Sequence, residues 1–340
     1  MSLIIDGTNG VTYNDSSLQG AAASPYVLKN RIINGAMQVW QRGTSFTVGS
    51  ASYTYTADRF KDYSANTSTT VSRSTSVPTT AGSLFQYSFQ LQRPNGNTGT
   101  NLLNILQIIE TANCYDLAGQ SVTLSFWVKK GANYSGGNIT VQLLTGTVAD
   151  QGGDPYTWTG LATAVNDSTY SPTTTWTRVT YTGTIASNAL EVCPVIAFTP
   201  TGTAGADDSL YITGVQLEIG TSATPFERRL YDKELVSCQR YYQIQSYGVG
   251  AGVGTTTVNI LFPFLQNMRT SPSVSANGTL TITDGYSANY TQSSISLSIN
   301  QTGPTSILVA VGNFTGLTSA RLYYTQNNNS TYGLTLSAEL

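Results

Sequence analysis

The sequence predicts an all-β protein: two successive strand-rich units joined by one short helix and preceded by a non-globular N-terminal segment. Three observations carry this expectation. The composition has 32 Gly and 21 Tyr among 340 residues, is rich in Ser, Thr and Asn, and is poor in the charged residues that favour helices. Apolar and polar residues alternate along many short stretches, the two-residue period of a strand with one buried face. Turn-forming clusters recur roughly every 8 to 14 residues, the spacing of a β-sandwich.

Taken in order, residues 1–30 lack a core of their own. DGTNGVTYNDSSLQGAAAS isolates Val11, Tyr13 and Leu18 between turn-formers such as Asn9-Gly10 and Asn14-Asp15, and its Gly-Ala-Ala-Ala-Ser run has almost no side chain to bury. Such an extended segment orders only against another surface, copies of itself included. Residues 31–229 read as alternating strands. SVTLSFWVK (121–129) sets Val122, Leu124, Phe126 and Val128 against Thr123, Ser125, Trp127 and Lys129. ITVQLL (139–144), WTRVTYTGTI (176–185), VCPVIAF (192–198) and SLYITGVQLEI (209–219) read likewise. Leu102–Glu110 is apolar enough for a helix, but Leu103, Ile105 and Ile109 fit period two, which makes it a strand.

Residues 230–245 break the pattern. In LYDKELVSCQRYYQ, Leu235, Cys238 and Tyr242 recur at helical spacing, with Asp232 placed as N-cap, and predict a helical connector. Residues 246–340 return to strands: TTVNILFPF, PSVSA, TLTIT, SISLSIN, SILVAVGNF, ARLYYTQ and GLTLSAEL make a second, smaller β-sandwich.

Several function classes are excluded or disfavoured. Histidine is absent, which removes Ser-His-Asp and Cys-His nucleophile systems and nearly all catalytic zinc sites. The net charge of −2, with no Lys/Arg run, gives no footprint for nucleic acid. No apolar run approaches the roughly 20 residues that span a bilayer, and the first residues lack a signal-peptide pattern. Three scattered cysteines (Cys114, Cys193, Cys238) fit neither a disulfide framework nor a metal site, and are expected reduced and buried.

The stretch GVQLEIGTSATPFERR (214–229) concentrates charge in a chain that is only 10% charged. Val215, Leu217 and Ile219 face one way and Gln216 and Glu218 the other, a half-buried strand. Glu218, Glu227 and Glu234 are carboxylates available for acid–base work, but nothing in their spacing forces the approach of about 5 to 9 Å that a glycosidase needs. Pairing with Arg228, Arg229 or a neighbouring subunit is the expected role, and the stretch reads as a hinge and subunit seam. The acidic loops at Asp154 and Asp207-Asp208 offer oxygen ligands for Ca²⁺ without an EF-hand pattern, so they read as solvated loops. No cofactor is expected. Sugar-binding sites stack rings on aromatic side chains beside polar ones, so Tyr156 and Trp158 in GGDPYTWTG are candidates. So are Tyr286, Tyr290 and Tyr332, with Tyr323 and Tyr324, near the Asn-rich loop at 327–330. Trp127 and Trp176 lie within strands and read as packing residues.

Three stretches carry a resemblance. NRIINGAMQVWQRGTSF followed by YTADRF (30–60) resembles the opening of a jelly-roll domain of bacteriophage virion proteins, and GVQLEIGTSATPFERR resembles its closing strand and exit. DGTNGVTYNDSSLQGAA is similar to a short segment of phage tail-fibre proteins. CQRYYQ leading into LFPFLQNMRTSPSV looks like the usual continuation. The resemblance implies a homotrimeric, non-enzymatic virion fibre with a carbohydrate-binding-module-like jelly roll, attached to other virion proteins through residues 1–30 and recognising host-surface polysaccharide. A head-fibre or adaptor role without receptor binding is the alternative. A polysaccharide depolymerase is disfavoured, because no β-helix repeat is present.

Overall fold

The computed structural model describes the backbone of residues 4–6, 10–12 and 18–19, and then residues 29–49, 51–65, 68–79, 84–286, 288–326 and 333–340. The N-terminal strands Ile4–Asp6, Gly10–Thr12 and Leu18–Gln19 form a three-stranded antiparallel sheet.

The first unit is a jelly-roll sandwich of two six-stranded sheets. The first runs Thr177–Thr184, Ser121–Lys130, Asp208–Ile219, Ser88–Arg93, Thr69–Ser74, Ser45–Val48. The second runs Ala162–Asp167, Thr140–Gly146, Glu191–Phe198, Leu103–Leu106, Lys61–Ser64, Ser52–Tyr55. All pairings are antiparallel, and the two inner faces enclose the main core. Val122, Leu124, Phe126 and Val128 are all fully buried there, as the alternation requires. Asp208–Ile219 departs from simple alternation. Leu210 and Ile212 point into the core and so do Val215 and Leu217, because a bulge at Gly214 (φ +63°) shifts the register opposite Phe126. Asp62 also points inward. Neither of its carboxyl oxygens has a hydrogen-bond partner, and burial, which disfavours the charged form, pushes its pKa well up.

Both sheets are covered on their outer faces where the sequence suggests solvent. Gln216 and Glu218 are buried, because residues 221–226 fold back over them. The strand is therefore buried on both sides, not half-buried. The outer face of the second sheet carries a further cluster, with Leu106, Leu144, Cys193 and Val195 packed under Trp158 and Leu340. Leu102–Glu110 is a strand over Leu103–Leu106, with one more bridge between Ile109 and Val192. All three cysteines are buried and free.

The helix spans Tyr231–Gln239, shorter than the pattern suggests. Asp232 lies in its first turn and Leu230 precedes it without a side-chain cap, whereas Tyr242 already belongs to the strand Tyr242–Gln245. The first unit also carries an α-helical turn, Thr111–Cys114, that runs into a 3-10 turn, Tyr115–Leu117. The second unit is the smaller sandwich. A three-stranded sheet (Tyr242–Gln245, Gly333–Ser337, Ser273–Asn277) faces a seven-stranded one. Leu334 and Leu336 of the former pack on Val258, Ile260, Phe262 and Val309 of the latter.

The resemblance-bearing residues meet where the two units join. Asn30 is a clasp: its amide donates to Val215 O at 3.0 Å, and its Oδ1 accepts from the N–H groups of Ile32 (2.9 Å) and Leu217 (3.1 Å). Its own N–H donates to Glu227 at 2.6 Å. Gly35 passes so close to the closing strand that a Cβ would stand 2.1 Å from Val215 O, which restricts the position to glycine. Asn34 uses its side chain to bind Gln38 N, Val39 N, Val39 O and Asp58 O, and its N–H donates to Glu234 on the helix. Arg59, with 2% of its side chain exposed, pairs with Glu339, donates to Ile108 O at 2.6 Å and lies 3.5 Å from the Tyr241 ring centre. Arg42 pairs with Glu339 at 3.0 Å and stacks on Tyr242.

Removing Glu339 strands the buried Arg59 charge. Glu339→Ala is therefore expected to destabilise the protein by roughly 3–5 kcal/mol, read as a lower urea midpoint. A change under about 1 kcal/mol would show that the pair is solvated, as exposed pairs are. A second expectation concerns pH. Burial pushes the Glu191 carboxyl from 4.5 up to about 8, although Thr111 donates a hydrogen bond to it. The native state thus holds this proton more tightly than the unfolded chain. Its contribution is complete below pH 4.5 and is lost as pH rises through about 8. Glu191→Gln should flatten that part of the melting-temperature profile, and a profile identical to that of the unsubstituted protein would refute the assignment.

Candidate functional site

The turn after the strand Leu280–Thr283 builds an exposed aromatic corner. Asp284 organises it: Oδ1 accepts the N–H of Tyr286 at 3.0 Å and of Ala288 at 3.4 Å, an Asx-type turn that fixes the backbone and directs Tyr286 outward. Oδ2 accepts from Arg321 Nη1 at 2.7 Å. Tyr324 enters from the strand Leu322–Thr325, which pairs Thr283 with Tyr324. Its ring edge and hydroxyl stand 3.2 Å from the Cβ position of Gly285. Tyr286 is 94% exposed and Tyr324 46% exposed. The corner therefore presents the exposed Tyr286, the half-exposed Tyr324 and the guanidinium of Arg321, which is held by the buried Asp284 carboxylate. This combination offers apolar ring faces together with donors and acceptors in set directions.

Of the other candidates, Tyr290 adjoins this corner, near enough to Asp284 and Arg321 to feel their charges, and the rest fall elsewhere. Tyr290 lies edge-on to the buried Tyr323, with centroids 5.7 Å apart, and packs against the second core. It supports the fold. Tyr323 itself is fully buried, and its hydroxyl accepts from Thr318 N. Tyr332 and the loop at 327–330 lie outside the described residues. Trp158 is only 6% exposed and roofs the apolar cluster on the second sheet, so no ring face is open to a ligand. Tyr156 sits beside it, partly exposed, with its hydroxyl donating to Gln142 at 2.5 Å. Trp176 packs edge-on to Tyr211. Tyr156 and Trp158 thus belong to a loop that seals the second sheet, whereas Tyr286 belongs to an open corner. The sequence reading missed Asp284 and Arg321. The Asp-Gly pair at 284–285 was the available signal, since it marks a tight turn beside Tyr286.

The carboxylates have structural partners. Glu218 accepts from Gln216, from Thr224 N at 2.8 Å and from Thr224 Oγ1 at 2.6 Å, and does not pair with Arg228 or Arg229. Glu234 pairs with Arg229 at 3.5 Å, and burial pushes its pKa up against that opposing charge. The stretch 214–229 is bonded to the opening residues of its own sandwich, an intrachain clasp with no feature of a hinge. Asp154 caps a short 3-10 turn and accepts from Tyr53 at 2.8 Å. Asp208 pairs with the fully buried Arg93 at 3.0 Å, and Asp207 accepts from Ala132 N and Tyr211. Among the described residues no three acidic or cysteine side chains gather as a metal site.

No family model matches the chain, and no curated protein sequence matches it. Among solved structures it is similar to the enzymatically active domain of bacteriophage CBA120 tailspike protein 4, at 15% identity and a TM-score of 0.33, over 56% of this chain and 21% of that one. It is also similar to the C-terminal family 22 carbohydrate-binding module of Clostridium thermocellum Xyn10B, at 11% identity and a TM-score of 0.33, over 52% and 96% of the two chains. TmCBM61, solved with β-1,4-galactotriose, matches at 11% identity and a TM-score of 0.30, over 57% and 100%. The chain spans about a fifth of the tailspike structure. At these identities and scores no ligand, residue or activity carries over.

The geometry separates packing aromatics from presented ones. Trp158→Ala should cost about 3–5 kcal/mol, whereas Tyr286→Ala should stay within about 0.5 kcal/mol of the unsubstituted protein. Denaturant melts of the two variants check this, and the reverse order would contradict the assignment of both residues.

Proposed function

We propose that the protein is a homotrimeric bacteriophage fibre component that recognises host-surface glycan through the tyrosine corner of its second unit. The observation that carries this reading is Tyr286, almost fully exposed where Asp284 accepts its N–H, in the same corner as Tyr324 and the Asp284–Arg321 pair. An aromatic ring so exposed, on a backbone position held by Asp284, suits a contact surface. The seven strands of that sheet contain no charged residue, so the corner offers stacking and hydrogen bonds, not a charged field. Binding of this kind is weak per site and insensitive to salt, and three copies raise it by avidity. The fibre and virion assignments rest on the resemblance of the opening and closing motifs, and on an N-terminal segment that lacks a core of its own.

A second reading, a purely structural virion component, draws support from Val249, Leu261 and Leu322. These exposed apolar side chains lie together on the outer face of the seven-stranded sheet and suit a subunit contact. Adsorption assays separate the two. Tyr286→Ala with Tyr324→Ala should lower cell adsorption while leaving trimer mass and melting temperature nearly unchanged. Unchanged adsorption would favour the structural reading, and a monomeric mass by light scattering at micromolar concentration would remove the trimer. Deleting residues 1–28 leaves Asn30 in its clasp. It should yield a folded protein that fails to join the virion, and normal incorporation would remove the anchoring role.

A further inference from the structure

A cleft of about 580 Å³ opens on the first unit beside the helix Tyr231–Gln239. The opening residues of the sandwich form one wall, and the exit segment and helix form the other. Five basic residues line it: Arg31, Arg228, Arg229, Lys233 and Arg240. The whole chain has 16, so nearly a third of its cations face one cavity.

Three of the five are fixed in place. Arg31 is held by Asp116 at 2.6 Å, Arg240 by Glu110 at 3.1 Å, and Arg229 by Glu234 together with the carbonyls of Asn30 and Ile32. None of these three carboxylates lines the cleft. The only acid that does is Glu227, and it accepts the N–H of Asn30. Arg228 and Lys233 are exposed and have no ion-pair partner among the described residues. Ile33, Leu230 and Val236 supply apolar surface, and Asn113 and Ser237 add polar groups. The volume lies in the range of small-ligand sites and holds a ring or two, not an extended chain. The rest of the chain has no basic track for a nucleic-acid backbone.

We infer that this cleft binds an acidic saccharide. A carboxylate or phosphate on the sugar is held by Arg228 and Lys233, with the pre-positioned guanidinium of Arg240 adjoining, and the C–H face of the ring rests on Ile33, Leu230 and Val236. Arginine supplies planar paired donors that match such oxyanions, and lysine a point charge. The site is separate from the tyrosine corner and differs from it in kind, because its binding is electrostatic.

The test uses the full-length protein with trigalacturonate, neutral galactotriose, glucose 6-phosphate and inorganic phosphate, titrated by calorimetry at low and high salt. Trigalacturonate or glucose 6-phosphate should bind, and which of them binds tells a uronate from a sugar phosphate. Affinity should fall several-fold on going from about 0.05 to 0.5 M salt, and at least about tenfold in R228E/K233E. Both positions are exposed, so the folded state of that variant is checked by its melting temperature, and R228K/K233R should retain binding. Tyr286→Ala should leave this affinity unchanged, which separates failure here from failure of the corner. Four results would overturn the proposal: galactotriose binding as tightly as trigalacturonate, inorganic phosphate as tightly as glucose 6-phosphate, R228E/K233E binding normally, or none of the charged sugars binding. Binding that disappears when the protein assembles into oligomers would instead assign the cleft to a subunit contact.

Discussion

The two sandwiches are held to one another by a buried cation. Arg59 comes from the first unit and is almost wholly enclosed, yet its neutralising carboxylate, Glu339, belongs to the second, and its ring partner Tyr241 follows the helix. A guanidinium taken out of water without a counter-charge costs several kcal/mol, so neither unit can settle alone in this arrangement. Arg42 repeats the logic with Glu339 and Tyr242. Leu340 then completes the apolar cluster under Trp158, and Tyr55 donates to its carbonyl at 2.5 Å. The join is therefore a packed and ion-paired interface, not a flexible tether.

This constraint accounts for residues that otherwise look functional. Asn30, Asn34, Gly35, Asp58, Arg59, Glu227 and Arg229 are polar or small residues of the type often found in active sites. Here their bonds close the sandwich on itself and seat the helix against it. Buried polar groups must find partners within the chain, and these asparagines satisfy backbone groups that belong to no sheet ladder. The same need explains Glu218, Glu227, Arg229 and Glu234, which hold the exit segment and the helix against the first unit.

Cations without an ion-pair partner among the described residues, Arg228 and Lys233, also gather beside the helix. The second unit presents aromatic and apolar side chains with scarcely a charge, whereas the cleft beside the helix gathers cations whose counter-ions lie outside it. Two surfaces of opposite electrostatic character on one chain can divide the work of recognition. On the proposed readings, one would contribute short-range stacking that persists at any ionic strength, and the other longer-range attraction that salt screens. Repeated on several copies, a weak contact of either kind gains from avidity.

Reading along the chain was reliable where one physical effect dominates. Strict alternation in 121–129 required a strand, because a two-residue period places those side chains on one face, whereas the short apolar run at 192–198 is a central strand buried on both faces. The absence of histidine set limits on chemistry, and the Asn-Gly and ATPFERR motifs marked where the first unit opens and closes. What only the tertiary structure decided was which faces remain open. Trp158 and Tyr286 carry the same local signal, an aromatic in a glycine-containing turn. One lies under Leu340, about 180 residues away in sequence, and the other meets solvent. Glu218 alternates as a solvent-facing residue but is covered by the chain folding back at Thr224. The cleft is likewise invisible in sequence, since its walls come from residues 30–33 and 227–240. Periodicity reports which side chains share a face, and only long-range packing determines what that face meets.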